Sequence, residues 1–286
     1  MEKLLPDRLK ELWESVEQGR LSADEFVQAQ DNLIQEHRQE WEQALLLKDQ
    51  QNLQESVLEE IAAYSGNPNL EEIRLLCSRA LKNIKAEWCN RVEAISHENV
   101  EYFYDRSEAM LFELMWWHTL VEDLSPLAYL VALNFARRHG CARYLDFGSG
   151  VGSGGILFAH HGFATTLADI SSTALALSKW RLDRRGLAAE HLDLKTQQLP
   201  EAAFDIITAM DVFEHLVDPV TTVHDLWRAL QPGGFLFGRF SAEVDEDRPH
   251  HIVIDFQPTL EAMQRLGLVG VWQDQWLWGH MVFQKL

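Results

Sequence analysis

The chain has 286 residues, 47% hydrophobic and 24% charged, which is the balance of a soluble globular protein with core enough for one large or two modest domains. Its formal net charge is −19, and both the first 100 residues and the remainder are net negative. That argues against nucleic acid, because a polyanion needs lysines and arginines to replace its counterions. No apolar run approaches the ~20 residues of a membrane span, and Met1–Arg8 lacks an apolar signal core, so a cytoplasmic protein with no membrane partner is expected. Cys77, Cys89 and Cys141 are few, odd in number and match no metal spacing; reduced thiols are expected.

Residues 1–97 are rich in Leu, Glu, Gln and Ala and read as an all-helical region. Pro6 suits a first helical turn. Gly19 breaks the chain, and Ser22 with Glu25 three residues on forms a capping box that opens a long helix from about residue 23. Phe26, Leu33, Trp41, Leu45 and Leu46 recur at helical spacing along it. Ser65-Gly-Asn-Pro-Asn69 is the next break, and Leu70–Val92 reads as one further helix. No catalytic constellation is visible here. The region is expected to be a scaffold or assembly element whose apolar faces are buried on the rest of the chain or in a homodimer. Residues 98–140 form mostly helical linking segments, including Tyr102-Phe-Tyr-Asp105, Leu111–Leu120 and Pro126–His139. Among the charged residues that follow, Arg181, Arg184 and Arg185 read as solvated helix charges.

Residues 141–286 alternate strands with helices, the pattern of a doubly wound, mostly parallel α/β sheet. Tyr144–Gly155 reads Tyr-Leu-Asp-Phe-Gly-Ser-Gly-Val-Gly-Ser-Gly-Gly. A strand ends near Asp146, and Gly148, Gly150 and Gly152 form a strand-to-helix turn that lets a ligand lie almost on the backbone. Gly150, Gly152 and Gly155 also fit G-x-G-x-x-G, so this turn alone leaves a dinucleotide open. A second strand ends at Asp169, placed to accept from ribose hydroxyls. A third ends around Asp193-Leu194, and a fourth, Phe204–Asp211, precedes Val-Phe-Glu-His-Leu-Val-Asp-Pro. Gln231-Pro-Gly-Gly234 is a tight turn feeding a fifth strand. Leu260–Leu266 as a helix and Val269–Gln273 with Met281–Gln284 as an antiparallel pair close the fold. Seven strands are expected in all.

In this order the motifs resemble the class I S-adenosylmethionine-dependent methyltransferases over roughly residues 140–286. An NAD-linked oxidoreductase would want its first fingerprint glycine directly after the strand, whereas Gly150 lies four residues beyond Asp146. The resemblance implies S-adenosylmethionine as cofactor. Asp146 would orient backbone or take the ammonium, and Gly148, Gly150 and Gly152 would pass beneath ribose and methionine. Asp169 would hold the ribose, Ile170, Asp193 and Leu194 the adenine, and Met210 and Asp211 the methionine moiety. Helices before the first strand cover the cofactor in such enzymes, which makes Tyr104 a candidate at the methionine end; interdomain core is an equal reading.

Methyl transfer needs positioning and a water-poor pocket, with a general base only where the acceptor arrives protonated. His251, in the acidic loop after the fifth strand, and His215, after the fourth, are the candidate bases. His250-His251 with Asp245, Asp247 and Asp255 has no fixed ligand spacing, so no metal is expected. The Glu214-His-Leu-Val-Asp-Pro219 run resembles that of ubiquinone-biosynthesis O-methyltransferases. A small-molecule acceptor, methylated on a hydroxyl oxygen, is therefore expected. The alternative is a methyltransferase fold that modifies or regulates a protein docked on the N-terminal helices.

Overall fold

The computed structural model describes residues 3–242, 245–277 and 279–286. Seven strands form one sheet in the order β3-β2-β1-β4-β5-β7-β6. These are β1 (Arg143–Phe147), β2 (Ala164–Asp169), β3 (Glu190–Asp193), β4 (Phe204–Ala209), β5 (Leu230–Gly238), β6 (Leu268–Gln273) and β7 (Met281–Lys285). The first five run parallel; β7 is antiparallel to both β5 and β6. The mostly parallel doubly wound sheet with an antiparallel closing strand is thus the observed architecture.

Alternation along the central strands splits the core across the two faces. Tyr144, Ile206 and Phe237 pack under α8 (Ser125–Arg138), α9 (Ser153–His160) and α10 (Ser172–Arg185). Leu145, Phe147, Ile207 and Leu236 pack on the opposite face, against α11 (Pro219–Ala229) and α12 (Gln257–Arg265). Every residue of β4 is buried, as a strand covered on both faces must be. The turn at Pro232-Gly233-Gly234 is absorbed into β5, with a register irregularity against β4 and Gly233 at φ +81°.

The N-terminal helices are α1 (Leu5–Glu17), α2 (Ala23–Leu45), α3 (Leu53–Ser65), α4 (Leu70–Ser78) and α5 (Ala80–Arg91). Pro6 lies in the first turn of α1, and Ser22 and Glu25 form the capping box of α2. The helix expected over 70–92 is bent into two at Arg79 (φ −105°, ψ 1°), because both halves must follow α7 (Glu108–Trp117). The stripe Ile73, Cys77, Ala80, Ile84 and Trp88 is continuous across the bend and stays buried, which is why the periodicity shows one helix. With α6 (His97–Arg106) and α7, α5 builds a separate cluster around Trp88, Phe103 and Met110 beside the sheet's carboxyl edge.

One feature of α10 corrects the sequence reading. Arg181 and Arg185 are not solvated: both are buried around Glu60 of α3. Arg181 Nε lies 3.2 Å from Glu60 Oε2, and Arg185 Nη1 lies 2.5 Å from Oε1. Arg181 Nη1 then donates to the Val151 carbonyl at 2.7 Å and to Ser153 Oγ at 3.1 Å. The helical region thereby reaches the back of the glycine turn. Burial pushes the Glu60 carboxyl up, but the two guanidinium groups outweigh it and hold the carboxyl below its usual range. The clue was spacing: Ser178, Arg181, Leu182 and Arg185 share one face of α10, and Leu182 is core.

Candidate active site

Strand ends β1, β2 and β4 converge with α6, α7 and the loop after β5 on a cavity of about 280 Å³. A second cavity, of about 310 Å³, adjoins it and shares Phe147, Ile170, Leu194, His215 and Leu216 as lining. Together they offer the room that a nucleoside-sized ligand and a small acceptor require.

The floor is the glycine turn. Gly148 has φ +69°, and a Cβ there would stand 2.5 Å from Val212 Cγ2, so this turn tolerates only glycine. Gly148, Ser149, Gly150 and Val151 line the cavity. Gly152 does not: it caps α9 and lies against α10, where a Cβ would meet that of Ser178 at 2.6 Å. Asp146 is likewise set behind the turn, wholly buried, with Oδ1 accepting from Tyr129 OH at 3.2 Å and Thr208 Oγ1 at 3.1 Å. Burial pushes its carboxyl up to about 7, against the pull of those hydroxyls.

Asp169 closes the floor. Its Oδ2 accepts from Gly150 N at 2.7 Å and its Oδ1 from Ser171 N at 2.8 Å, so the ribose candidate also fixes the turn. Ile170 and Leu194 line the cavity beside it. Asp193 stands just outside, taken up by Ser172 Oγ at 2.7 Å and by Lys195 N at 3.0 Å. The neighbouring Asp105 pairs with Lys195 and accepts from Ser172 N at 2.8 Å, and Ser171 Oγ donates to the Tyr104 carbonyl at 2.9 Å. These contacts pin the end of α6 to the start of α10 and hold Tyr104 over the cavity.

Met210 and Asp211 line the opposite wall. Asp211 is held at φ +49°, an unusual conformation for a non-glycine residue. Its carboxylate accepts from Ser125 Oγ at 2.8 Å and lies 3.8 Å from Arg239 Nη1. Glu113 of α7 faces the same space with Arg248 Nη1 3.9 Å away. Burial, opposed by Arg248, pushes Glu113 up to about 7.

His215, His250 and His251 form the remaining wall. The 3-10 turn Phe213–His215 is laced to the loop after β5: Ile252 N and Val253 N both donate to the Glu214 carbonyl, at 2.8 and 3.1 Å. His215 Nδ1 donates to the His250 carbonyl at 3.0 Å. The rings of His215 and His251 lie 4.8 Å apart. Burial, reinforced by His215 and Arg248, lowers His251 to about 4, leaving a neutral imidazole at pH 7.

Of the residues singled out from sequence, Gly148, Gly150, Asp169, Ile170, Leu194, Met210, Asp211, Tyr104, His215 and His251 share this cavity, whereas Asp146, Gly152 and Asp193 stand behind or beside it. Sequence reasoning missed Glu113, Arg239 and Arg248. Only Arg248 carried a signal, as the basic residue within the acidic loop.

The chemistry of the walls fits S-adenosylmethionine. Tyr104 OH and Ser149 Oγ, both buried and without a protein hydrogen-bond partner, face the cavity as free donors. Asp169 supplies acceptor oxygens, Ile170, Leu194 and Phe147 an apolar bed, and Asp211 and Glu113 carboxyl groups for a cationic ligand.

Residues 145–236 match the family described as a methyltransferase domain. The ubiquinone biosynthesis O-methyltransferase of Pseudomonas aeruginosa is 29% identical over 150 residues, covering 46% of this chain and 62% of the relative. That of Paramagnetospirillum magneticum is 28% identical over 176 residues, covering 54% and 67%. This chain thus matches less than two thirds of the Pseudomonas protein's length. A solved S-adenosylmethionine-dependent methyltransferase from Aquifex aeolicus is 16% identical, covering 57% of this chain and 93% of its own, with a TM-score of 0.46. The domain match begins within β1 and ends within β5, spanning the glycine turn and the acids after β2 and β3, on a sheet closed by an antiparallel strand. Over residues 145–236 the chain is thus similar to methyltransferase domains, the similarity falling on the strands and turn that build this cavity.

Proposed function

We propose that the chain transfers a methyl group from S-adenosylmethionine to a hydroxyl oxygen of a small-molecule metabolite bound at the histidine-lined end of the cavity. The observation that carries this is the pairing, in one cavity, of a glycine-and-acid floor with a wall of titratable side chains. S-adenosylmethionine, when bound, supplies an electrophilic methyl group on a sulfonium. Asp169 would hold the ribose hydroxyls, Ile170 and Leu194 the adenine, and the Gly148–Gly150 backbone the sugar and methionine, with Met210, Asp211 and Tyr104 at the methionine end. Asp146 and Gly152 serve this site from behind, by fixing the turn, and Asp193 by holding the Ser172 and Lys195 segment. His251 would take the acceptor proton, with His215 the alternative; a neutral imidazole has the lone pair that this requires. Oxygen as the methylated atom is supported by the names of the curated relatives. The helices of residues 1–97 act as a scaffold, which the Glu60–Arg181–Val151 chain supports.

Calorimetry tests the cofactor assignment. S-adenosylmethionine should bind and NAD should not. Asp169→Ala, which removes hydrogen bonds to a charged acceptor of roughly 1.5–3 kcal/mol each, should weaken binding by about tenfold or more. Tight NAD binding without affinity for S-adenosylmethionine would overturn the assignment. Radiolabelled methyl uptake across a metabolite library identifies the acceptor.

A further inference from the structure

The histidine wall contains more than a base requires. His215, His250 and His251 each offer a ring nitrogen, and these three atoms lie within 4.8 Å of one another. The His215 and His250 rings stack in parallel at 5.2 Å, and the His251 ring stands edge-on to both. Because the His250 carbonyl can only accept, His215 must carry its proton on Nδ1, which leaves Nε2 as a bare lone pair. Metal-bound histidines are oriented by this same device, the second nitrogen donating to a backbone carbonyl. His250 is 3% exposed, and its Nδ1 has no protein partner. The two segments that supply the rings are locked together through the Glu214 carbonyl. Arg248 stands nearby, but its charge is shared with Glu113 at 3.9 Å and Asp245 at 3.7 Å.

We propose that His215, His250 and His251 form a binding site for a divalent transition-metal ion, open on the side of the acceptor. Zinc–imidazole bonds of roughly 2.0–2.1 Å in a tetrahedral site set the nitrogens about 3.4 Å apart, so a pair 4.8 Å apart must close by about 1.5 Å on binding. Three imidazoles with no carboxylate suit zinc, cobalt, nickel or iron(II) better than magnesium or calcium. Three protein ligands leave a fourth position for an oxygen, and all three rings border the cavity. The role of this open position rests on the acceptor reading above: with the lone pairs of His215 and His251 taken up by the ion, the ion and not an imidazole would hold the acceptor oxygen and favour its deprotonated form. Metal binding itself does not depend on that reading.

The full chain, stripped with a chelator and dialysed, is titrated with Zn2+ and with Co2+ in the absence of any acceptor. One equivalent should bind, with Co2+ giving the visible absorption of a low-coordinate nitrogen site. His250→Ala and, separately, His215→Ala should weaken binding by about tenfold or more, while S-adenosylmethionine affinity, measured in parallel, stays near wild type and reports an intact fold. Failure of the wild-type chain to bind either ion, or binding unchanged in both variants, overturns the proposal. Because the readout is metal occupancy, loss of the methyl-transfer reading would leave this result unaltered.

Discussion

Two groups of buried charge lie on opposite sides of the glycine turn, and they are built to different ends. Behind the turn, Glu60 meets Arg181 and Arg185 with both carboxylate oxygens filled, and the surplus donors go to Val151 and Ser153. In front of it, Glu113, Asp211, Arg239 and Arg248 face a cavity at separations of 3.8–3.9 Å, and Glu113 is left pushed up to about 7. The same residue types close tightly on one another behind the turn and border open space in front of it. Tight mutual pairing fixes a backbone; charged groups bordering a cavity can respond to a ligand.

The largest expected effect lies behind the turn. Glu60→Ala strands two buried guanidinium groups and should cost about 3–5 kcal/mol in chemical denaturation. Near-neutral stability would mean that the cluster is not the brace inferred here. Asp146 gives the next largest. Burial pushes its pKa above the unfolded value of 3.8, so its contribution to stability is complete below that value and is lost as pH rises through about 7. Asp146→Asn, measured without cofactor, should flatten the decline in unfolding free energy between pH 4 and 7 relative to wild type.

In front of the turn the effects appear in function. Once an acceptor is known, His251→Ala should lower turnover by about 10²-fold while S-adenosylmethionine affinity holds. Because the His251 pKa is lowered to about 4, the wild-type contribution should be lost only as pH falls through that value. Equal turnover in His251→Ala and wild type would assign the role to His215 or to positioning alone. The smallest effect belongs to Tyr104→Phe. It removes a buried hydroxyl with no protein partner, so stability without ligand should hold or rise, whereas cofactor binding should lose about 0.5–1.5 kcal/mol. A ligand-free loss of stability in this variant would remove Tyr104 from the cofactor site.

Much of this molecule could be read in the chain itself, because its signals are local. Ser22 and Glu25, three residues apart, specify a helix start; an acid after an apolar run followed by Gly148 marks a strand-to-turn exit; and the repeated alternation after residue 141 dictates a parallel sheet. Gly152 and Asp146 show the limit within one motif. Both belong to the turn by sequence, yet one packs on Ser178 and the other on Tyr129 and Thr208, because a turn has an inner and an outer side that spacing does not label. Asp193 is spaced as a ligand residue, and that spacing gives no sign that Ser172, 21 positions earlier, donates to its carboxylate.

The sequence by itself determined the element order, the class of sheet, the caps and the residues at the strand ends, since each rests on periodicity or on the conformational preference of a few adjacent residues. Tertiary structure alone decided which charges are buried and which side chains share a cavity. Glu60 and Arg181 are separated by 121 positions, and the joining of His215 to His250 spans 35. Such meetings depend on how helices and loops dock on the sheet, where burial turns an ordinary glutamate, arginine or histidine into a brace or a reactive group.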